Sequence, residues 1–99
     1  MTDSHPADAR ARAARTSGTV RIVGAGLLGS SIGHALGQLG VDVALADASP
    51  AQLRLAVDYG AGRLARDDDD PSLIVVAVPP DVTADVVERE LTAHPRAVV

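Results

Sequence analysis

The chain has 99 residues, of which 46% are hydrophobic and 22% charged, and its formal net charge is −4. It is therefore long enough for one domain at most, and its acidic balance excludes the basic surface by which proteins bind nucleic acid. Because it has no cysteine, no apolar run near the roughly 20 residues of a membrane span and no secretory signal, we expect a cytoplasmic protein without disulfides or a membrane partner.

The first 17 residues differ in composition from the rest of the chain. They include no Val, Ile, Leu or aromatic residue, and such a segment buries too little apolar surface to offset the entropy lost on ordering. We predict a disordered leader over residues 1–17. An arginine-rich helix that docks on an acidic partner is the alternative for this segment.

Two strands and two helices are predicted in the first half of the folded part. Residues 19–23 contain the β-branched run of a buried parallel strand, and residues 41–47 predict a second strand. Between them, apolar residues recur at helical spacing and a glycine closes the helix. These are Leu28, Ile32, Ala35, Leu36 and Leu39, with Gly40 as the C-cap. Ser49 and Pro50 suit the N-cap and first position of a helix that runs to about residue 58.

The second half repeats the alternation of strand and helix. Residues 62–65 predict a short third strand, and the acidic run 67–70 with Pro71 predicts a solvated turn. Residues 73–78 are continuously apolar, which favours a central strand covered on both faces. A helix to about residue 93 follows, in which Asp85 and Arg89 have the i,i+4 spacing of an ion pair. The last three residues, 97–99, open another strand.

Strands that alternate with helices predict right-handed βαβ crossovers and a parallel sheet. We expect an α/β fold of Rossmann type, an incomplete doubly wound parallel sheet of four to five strands with helices on both faces. The expected strand order is 3-2-1-4-5, which places a nucleotide crevice at the switch point beside the first strand.

The glycine-rich sequence at residues 24–29, Gly-Ala-Gly-Leu-Leu-Gly, lies between the first strand and its helix. In this setting it is the dinucleotide-binding fingerprint. Gly24 allows a tight turn, Gly26 lets the backbone approach a pyrophosphate, and Gly29 lets the helix pack on the sheet. Unpaired N–H groups at the positive end of the helix would bind the phosphates. A glycine turn that only packs a helix is the alternative.

Asp47, which ends the second strand 23 residues after Gly24, is the acid that the fingerprint requires. Its carboxylate would accept hydrogen bonds from the adenosine ribose and repel a 2′-phosphate, which predicts NAD rather than NADP; a surface acid in a turn is the alternative. Residues 78–80 follow the central strand and either flank the crevice or only end the strand. The candidate cofactor-binding residues are Gly24, Ala25, Gly26, Leu27, Leu28, Gly29, Asp47, Val78, Pro79 and Pro80.

The remaining polar residues indicate no further site. The acids at 67–70 could form a cation site, but they lack the spaced ligands of a calcium loop, so a solvated loop is favoured. His34 is interpreted as a surface residue of the first helix, and His94 as a cation suited to a helix end. We predict no metal site and no catalytic constellation.

Three segments resemble one enzyme family: GTVRIVGAGLLGSSIGHALGQLGVDVALADAS, AVDYGAGR and LIVVAVPPDVTADVV. They are similar to the N-terminal portion of the prephenate dehydrogenase family, in particular its actinobacterial members, over about residues 18–99. The resemblance implies an NAD-dependent oxidoreductase that converts prephenate, with loss of carbon dioxide, into 4-hydroxyphenylpyruvate in tyrosine biosynthesis. It assigns the pyrophosphate to Gly24, Gly26, Leu27, Leu28 and Gly29, the ribose to Asp47, and the cofactor edge to residues 78–80.

Members of this family continue into a catalytic histidine and a helical domain that dimerises and builds the substrate pocket. We therefore expect a truncated member that binds NAD and is inactive alone, with prephenate bound only by a full-length enzyme. Exposed apolar sheet is expected to favour self-association. The alternatives are a non-catalytic nucleotide-sensing regulatory module of the same fold and the cofactor domain of another NAD-dependent dehydrogenase.

Overall fold

A computed structural model describes residues 18–99, so the leader predicted at residues 1–17 lies outside the described residues. Strands and helices alternate along the described chain, as the sequence predicts. The strands are β1 (Thr19–Val23), β2 (Val43–Ala46), β3 (Arg63–Leu64) and β4 (Pro71–Val76), and the helices are α1 (Leu27–Gln38), α2 (Pro50–Tyr59) and α3 (Pro80–Ala93).

The four strands form one parallel sheet in the order β3-β2-β1-β4. On the far side of β4, Val98 forms a further parallel bridge with Leu73, and the N–H of Ile74 donates to the carbonyl oxygen of Val98 at 2.7 Å. The predicted order is thus confirmed for the first four strands. In the fifth position the structure has an isolated bridge at Val98 and not the strand predicted over residues 97–99. The fold is an incomplete Rossmann-type α/β sheet.

The core lies in two layers, one on each face of the sheet. Alternate residues of a strand point to opposite faces. Ile22 and Leu45 accordingly pack in the cluster that includes the contacting residues of α1 and α2, whereas Val23 and Ile74 pack against Val86 of α3. The prediction of helices on both faces is confirmed.

Two glycines and part of the predicted apolar stripe pack α1 against its neighbours. Gly29 and Gly33 are its two buried residues. A Cβ at Gly29 would overlap the carbonyl oxygen of Gly24, and one at Gly33 would overlap that of Ala61. Of the predicted stripe, Ile32 and Leu36 are half-buried, whereas Ala35, Leu39 and Leu28 are exposed, Leu28 by 65%. The stripe is therefore wrong in part, because the helix lies too close to other backbone for larger side chains to enter.

Helix α1 ends one residue earlier than predicted. Its C-cap is Leu39, and Gly40 follows in the left-handed region with φ of 82°. The N–H of Gly40 donates to Gly37 (3.0 Å) and that of Val41 donates to Leu36 (3.2 Å), which is the Schellman arrangement. Gly40 therefore reverses the chain just beyond the cap.

Helix α2 begins as predicted. Ser49 is its N-cap, and Pro50 occupies the first turn. The helix continues through Tyr59, and Gly60 ends it with φ of 91°. Strands β2 and β3 are both shorter than the predicted ranges 41–47 and 62–65.

Strand β4 is displaced towards the N-terminus relative to the predicted range 73–78. Pro71, predicted to lie in a turn, is buried as the first strand residue, a position that tolerates proline. It pairs with Thr19 of β1, and the register between the two strands shifts between this pair and the next, Val20 with Leu73.

In β4, Ile74 packs in the cluster on one face of the sheet and Val75 packs against the cluster on the other. Leu73 is 39% exposed, so the expectation that this strand is covered on both faces is wrong at Leu73.

An ion pair fixes α3 to the sheet. The Arg21 guanidinium of β1 donates to both carboxylate oxygens of Glu90, at 2.7 and 3.2 Å, and Glu90 is only 3% exposed. The predicted pair of Asp85 and Arg89 does not form among residues 18–99.

Within the same residues, no helix combines the length and apolar character needed to cross a membrane.

Candidate functional site

A cleft of about 620 Å³ opens at the carboxyl edge of the sheet, where β1 and β4 lead into their helices. The structure brings seven of the ten candidate residues to its wall: Gly24, Gly26, Leu27, Leu28, Asp47, Val78 and Pro79. Seven further residues, which the sequence did not predict as part of the site, also line the cleft: Val23, Ala48, Gln52, Ala77, Val82, Val86 and Arg89.

The other three candidate residues are not among those that line the cleft. Ala25 is buried and donates its N–H to the Asp47 carboxylate at 2.6 Å. Gly29 is a buried residue of α1, and Pro80 is the first residue of α3. Ala25 and Gly29 therefore act through their backbones, Ala25 by a hydrogen bond to Asp47 and Gly29 by close packing on Gly24.

The glycines of the turn meet different constraints. Gly24 has φ of 107°, and a Cβ there would overlap the carbonyl group of Ala77. Gly26 has an ordinary φ of −75°, and the nearest heavy atom to a Cβ there would be Gln52 Nε2 at 3.7 Å. The fold itself thus has room for a side chain at residue 26, and glycine at that position keeps the cleft open.

The start of α1 presents unpaired N–H groups beside this opening. Gly26 is the N-cap and provides no side-chain acceptor, so the first N–H groups of the helix, including those of Leu27 and Leu28, lack intrahelical partners. The nearby hydroxyls are engaged elsewhere, since Ser30 donates to Ala25 (2.9 Å) and Ser31 to Leu27 (2.8 Å). Unpaired N–H groups at a helix N-terminus bind anions.

The Asp47 carboxylate lies at the end of β2 and is held by three donors. Its Oδ2 accepts from the N–H of Ala25 (2.6 Å) and from Nε2 of Gln52 (2.7 Å), and its Oδ1 accepts from the N–H of Ser49 (2.7 Å). Burial raises the pKa of Asp47, but these hydrogen bonds outweigh it and leave the pKa below the ordinary value. The carboxylate is therefore charged at neutral pH, and Oδ1 retains capacity for another donor.

Two acids of the run 67–70, Asp69 and Asp70, contact arginine residues. Asp69 accepts from Arg63 (2.8 Å) and from the N–H of Arg66 (2.7 Å), and Asp70 accepts from Arg96 (3.3 Å). Within residues 18–99, no group of three or more His, Cys, Asp or Glu residues is arranged to hold a metal ion.

The two described histidines lie outside the cleft lining. His34 is half-buried against the ring of Tyr59, with the ring centroids 5.1 Å apart. His94 is the C-cap of α3, and its Nε2 is 4.0 Å from Oε1 of Glu90. Neither histidine is placed to exchange a proton with a molecule in the cleft.

These features fit a dinucleotide. Open space above Gly26, N–H donors at the start of α1 and a charged acceptor at Asp47 match the needs of a phosphate and of a ribose hydroxyl. The three groups belong to one cleft. Its apolar wall around Val78 offers a surface for a flat ring.

Comparison with known proteins agrees with the geometry. Residues 19–74 match the family described as 3-hydroxyacyl-CoA dehydrogenase, NAD binding domain. A protein of Streptomyces niveus described as probable prephenate dehydrogenase NovF is 46% identical over 69 residues, which are 70% of this chain and 19% of that protein. The chain thus spans about a fifth of the length of this relative. No solved structure matches.

Proposed function

The chain belongs to the family of 3-hydroxyacyl-CoA dehydrogenase NAD-binding domains, and we propose that it is the NAD-binding portion of a prephenate dehydrogenase-like oxidoreductase. Its cofactor is NAD, as the family and the dehydrogenase relative indicate. The proposed reaction is the oxidative decarboxylation of prephenate to 4-hydroxyphenylpyruvate in tyrosine biosynthesis. The 46% identity to the Streptomyces niveus protein supports this reaction.

The observation that carries the proposal is the position of Asp47 in the same cleft as the open start of α1. In the proposed complex, the N–H groups of Leu27 and Leu28 bind the pyrophosphate above Gly26, and Asp47 accepts hydrogen bonds from the adenosine ribose. Val78 and Pro79 flank the part of the cofactor nearer the substrate. NAD, when bound, accepts the hydride that the substrate loses.

Charge accounts for the proposed preference for NAD over NADP. A 2′-phosphate would bring its negative charge against the ionised Asp47 carboxylate. Ala48 follows Asp47 in the chain and lines the cleft, so this position offers no cation to compensate. Arg54 lies on α2 but outside the cleft lining. Arg89 lines the cleft from α3 and is not among the hydrogen-bond partners of Asp47.

We assign no step of the substrate chemistry to a described residue of the cleft. Neither His34 nor His94 lines the cleft, so we expect the 99-residue chain alone to give no prephenate-dependent NADH. Production of NADH from prephenate by the purified chain would contradict this expectation.

Self-association through the exposed part of the sheet near Leu73 stays a prediction, which sedimentation at several protein concentrations tests.

A second candidate is the cofactor domain of an enzyme that oxidises 3-hydroxyacyl-CoA. The family match over residues 19–74 favours it, and the cofactor site would be the same. The two candidates share the cofactor site and differ in substrate and in the loss of carbon dioxide, so activity of the full-length gene product on prephenate or on a 3-hydroxyacyl-CoA discriminates between them. A regulatory module that only senses a nucleotide would oxidise neither.

Titration calorimetry of the chain with NAD and with NADP tests the cofactor site. We expect saturable binding of NAD and at least about tenfold weaker binding of NADP, since one lost charge-assisted hydrogen bond has roughly that effect. Absence of heat with both nucleotides would refute the proposed site.

The cytoplasmic location expected from the sequence stays a prediction, which cell fractionation tests.

A further inference from the structure

The first turn of α2 contains a capping motif that is only half formed. Residues 49–52 read Ser-Pro-Ala-Gln, the pattern in which the N-cap hydroxyl and the side chain three residues later each accept an N–H from the other residue. The first of these bonds is present, because the N–H of Gln52 donates to Oγ of Ser49 at 3.2 Å. The second is replaced, because the N–H of Ser49 donates to Oδ1 of Asp47 at 2.7 Å.

The replacement releases the Gln52 side chain from the helix cap. Its Nε2 donates instead to Oδ2 of Asp47 at 2.7 Å. An ionised carboxylate can only accept, so the amide nitrogen must face Asp47 and the amide oxygen must point elsewhere. Gln52 also lines the cleft, and its side chain lies 3.7 to 3.9 Å from the Cβ position of Gly26.

Gln52 thus connects the two parts of the candidate cofactor site. Together with Ala25, it saturates Oδ2 of Asp47 and leaves the unused acceptor capacity on Oδ1. A carboxylate that is fixed before the ligand arrives does not lose rotational freedom on binding, which improves affinity. A helix cap alone would not need this contact.

We propose that Gln52 is the positioning residue of the ribose site, where its amide holds the Asp47 carboxylate in the orientation that selects NAD over NADP. This inference rests on the proposed function, in which Asp47 binds the adenosine ribose. Gln52 acts through Asp47, and its side chain takes no part in the transfer of hydride.

Two substitutions separate positioning from helix capping. Gln52→Ala removes the donor to Asp47, and we expect NAD to bind about tenfold more weakly while NADP binding changes little. Gln52→Glu keeps a residue that completes the capping motif well, but it cannot donate and it places a second charge beside Asp47. We expect Gln52→Glu to bind NAD even more weakly than Gln52→Ala.

Gln38→Ala is the matched control, because Gln38 is the exposed last residue of α1 and lies outside the cleft lining. Calorimetry with NAD and NADP, on samples whose circular dichroism confirms folding, provides the measurement. The dependence of NAD affinity on pH adds a second readout. Loss of the Gln52 hydrogen bond raises the pKa of Asp47, so acid should abolish NAD binding at a higher pH in Gln52→Ala than in the wild type.

Wild-type affinity for NAD in the folded Gln52→Glu variant would overturn the inference, because a capping role predicts that result. An unchanged ratio of NAD to NADP affinity in Gln52→Ala, with an unchanged pH profile, would overturn it as well. Failure of the wild-type chain to bind NAD is a different result, which refutes the proposed function itself and this inference with it.

Discussion

At the scale of single residues, the glycines of the turn are required for different reasons. A Cβ at Gly24 or at Gly29 would overlap backbone atoms of the protein, so the fold itself requires glycine at both positions. Gly26 has an ordinary backbone conformation and open space around its Cβ position. The fold therefore does not require glycine at residue 26, and in the proposed complex the bound cofactor does.

This difference makes Gly26→Ala a test of binding that is nearly independent of folding. We expect the free energy of unfolding to fall by no more than about 1 kcal/mol, since alanine is a poorer N-cap than glycine. NAD affinity should fall by about tenfold or more, because the methyl group occupies space above the helix start. Thermal unfolding and calorimetry on the same sample provide both values, and unchanged NAD affinity would contradict the prediction.

Asp47 is the residue on which cofactor choice depends in the proposed complex. Replacement by serine removes the charge that repels a 2′-phosphate, so Asp47→Ser should weaken NAD and shift the preference towards NADP by about tenfold. Asp58→Ser is a suitable control, because Asp58 is an exposed residue of α2 outside the cleft lining. Unchanged selectivity between NAD and NADP in Asp47→Ser would remove Asp47 from the site.

At the scale of elements, α1 is positioned by backbone contacts at two glycines. Gly33 faces the carbonyl oxygen of Ala61, whereas a Cβ at Gly37 would meet no heavy atom within 4 Å. Gly33→Ala should therefore destabilise the fold by about 1–3 kcal/mol through overpacking. Gly37→Ala should stabilise it by about 0.5–1 kcal/mol through helix propensity.

Urea unfolding of the two glycine variants beside the wild type measures both effects. Opposite signs are expected, although the substitutions are identical and lie one helical turn apart. A gain in stability from Gly33→Ala would show that α1 packs less closely than the structure indicates.

Helix α3 depends on the ion pair between Arg21 and the buried Glu90. Removal of one partner leaves a charge in a place from which water is excluded, so Arg21→Met should lower the free energy of unfolding by about 3–5 kcal/mol. The double variant Arg21→Met with Glu90→Leu should recover most of this loss, because both charges are then absent. Urea unfolding measures the four states of this cycle, and equal losses in the single and double variants would argue against the explanation.

At the scale of the whole molecule, carboxylates with lowered pKa values couple folding to pH. Hydrogen bonds from Arg63 lower the pKa of Asp42 and of Asp69. Burial raises the pKa of Asp47, but its three hydrogen bonds together have the larger opposite effect, so this pKa is also below the ordinary value. A carboxyl whose pKa is lower in the folded state contributes stability above its ordinary pKa and loses that contribution as pH falls.

We therefore expect an unfolding midpoint that is nearly constant from neutral pH to about pH 5 and falls below about pH 4. Arg63→Gln should reduce this acid dependence, since two of the three carboxyls lose their main cationic partner. Arg96→Gln is the control, because the pair of Arg96 and Asp70 is exposed on both sides and such pairs contribute little. The urea midpoint measured at several pH values tests this, and an equally steep acid loss in Arg63→Gln would contradict it.

The sequence predicted those features that depend on residues close together in the chain. The glycine turn, the cap at Ser49 and Pro50, and the glycine that follows α1 at Gly40 all depend on conformations of single residues or of one helical turn. The order of the strands also followed, because chirality leaves few ways to connect parallel strands.

The three-dimensional packing decided the rest. Three features depend on contacts that sequence periodicity does not encode. They are the burial of Gly33, the position of Pro71 in β4 and the hydrogen bond from Gln52 to Asp47. The amide of Ala25, for example, meets the Asp47 carboxylate across 22 positions of the chain. By itself the sequence determined the turns, the caps and the acid, since these reflect local backbone energetics. Only the tertiary structure decided which side chains meet at the cleft, because distant segments must first pack before their atoms come within hydrogen-bond distance.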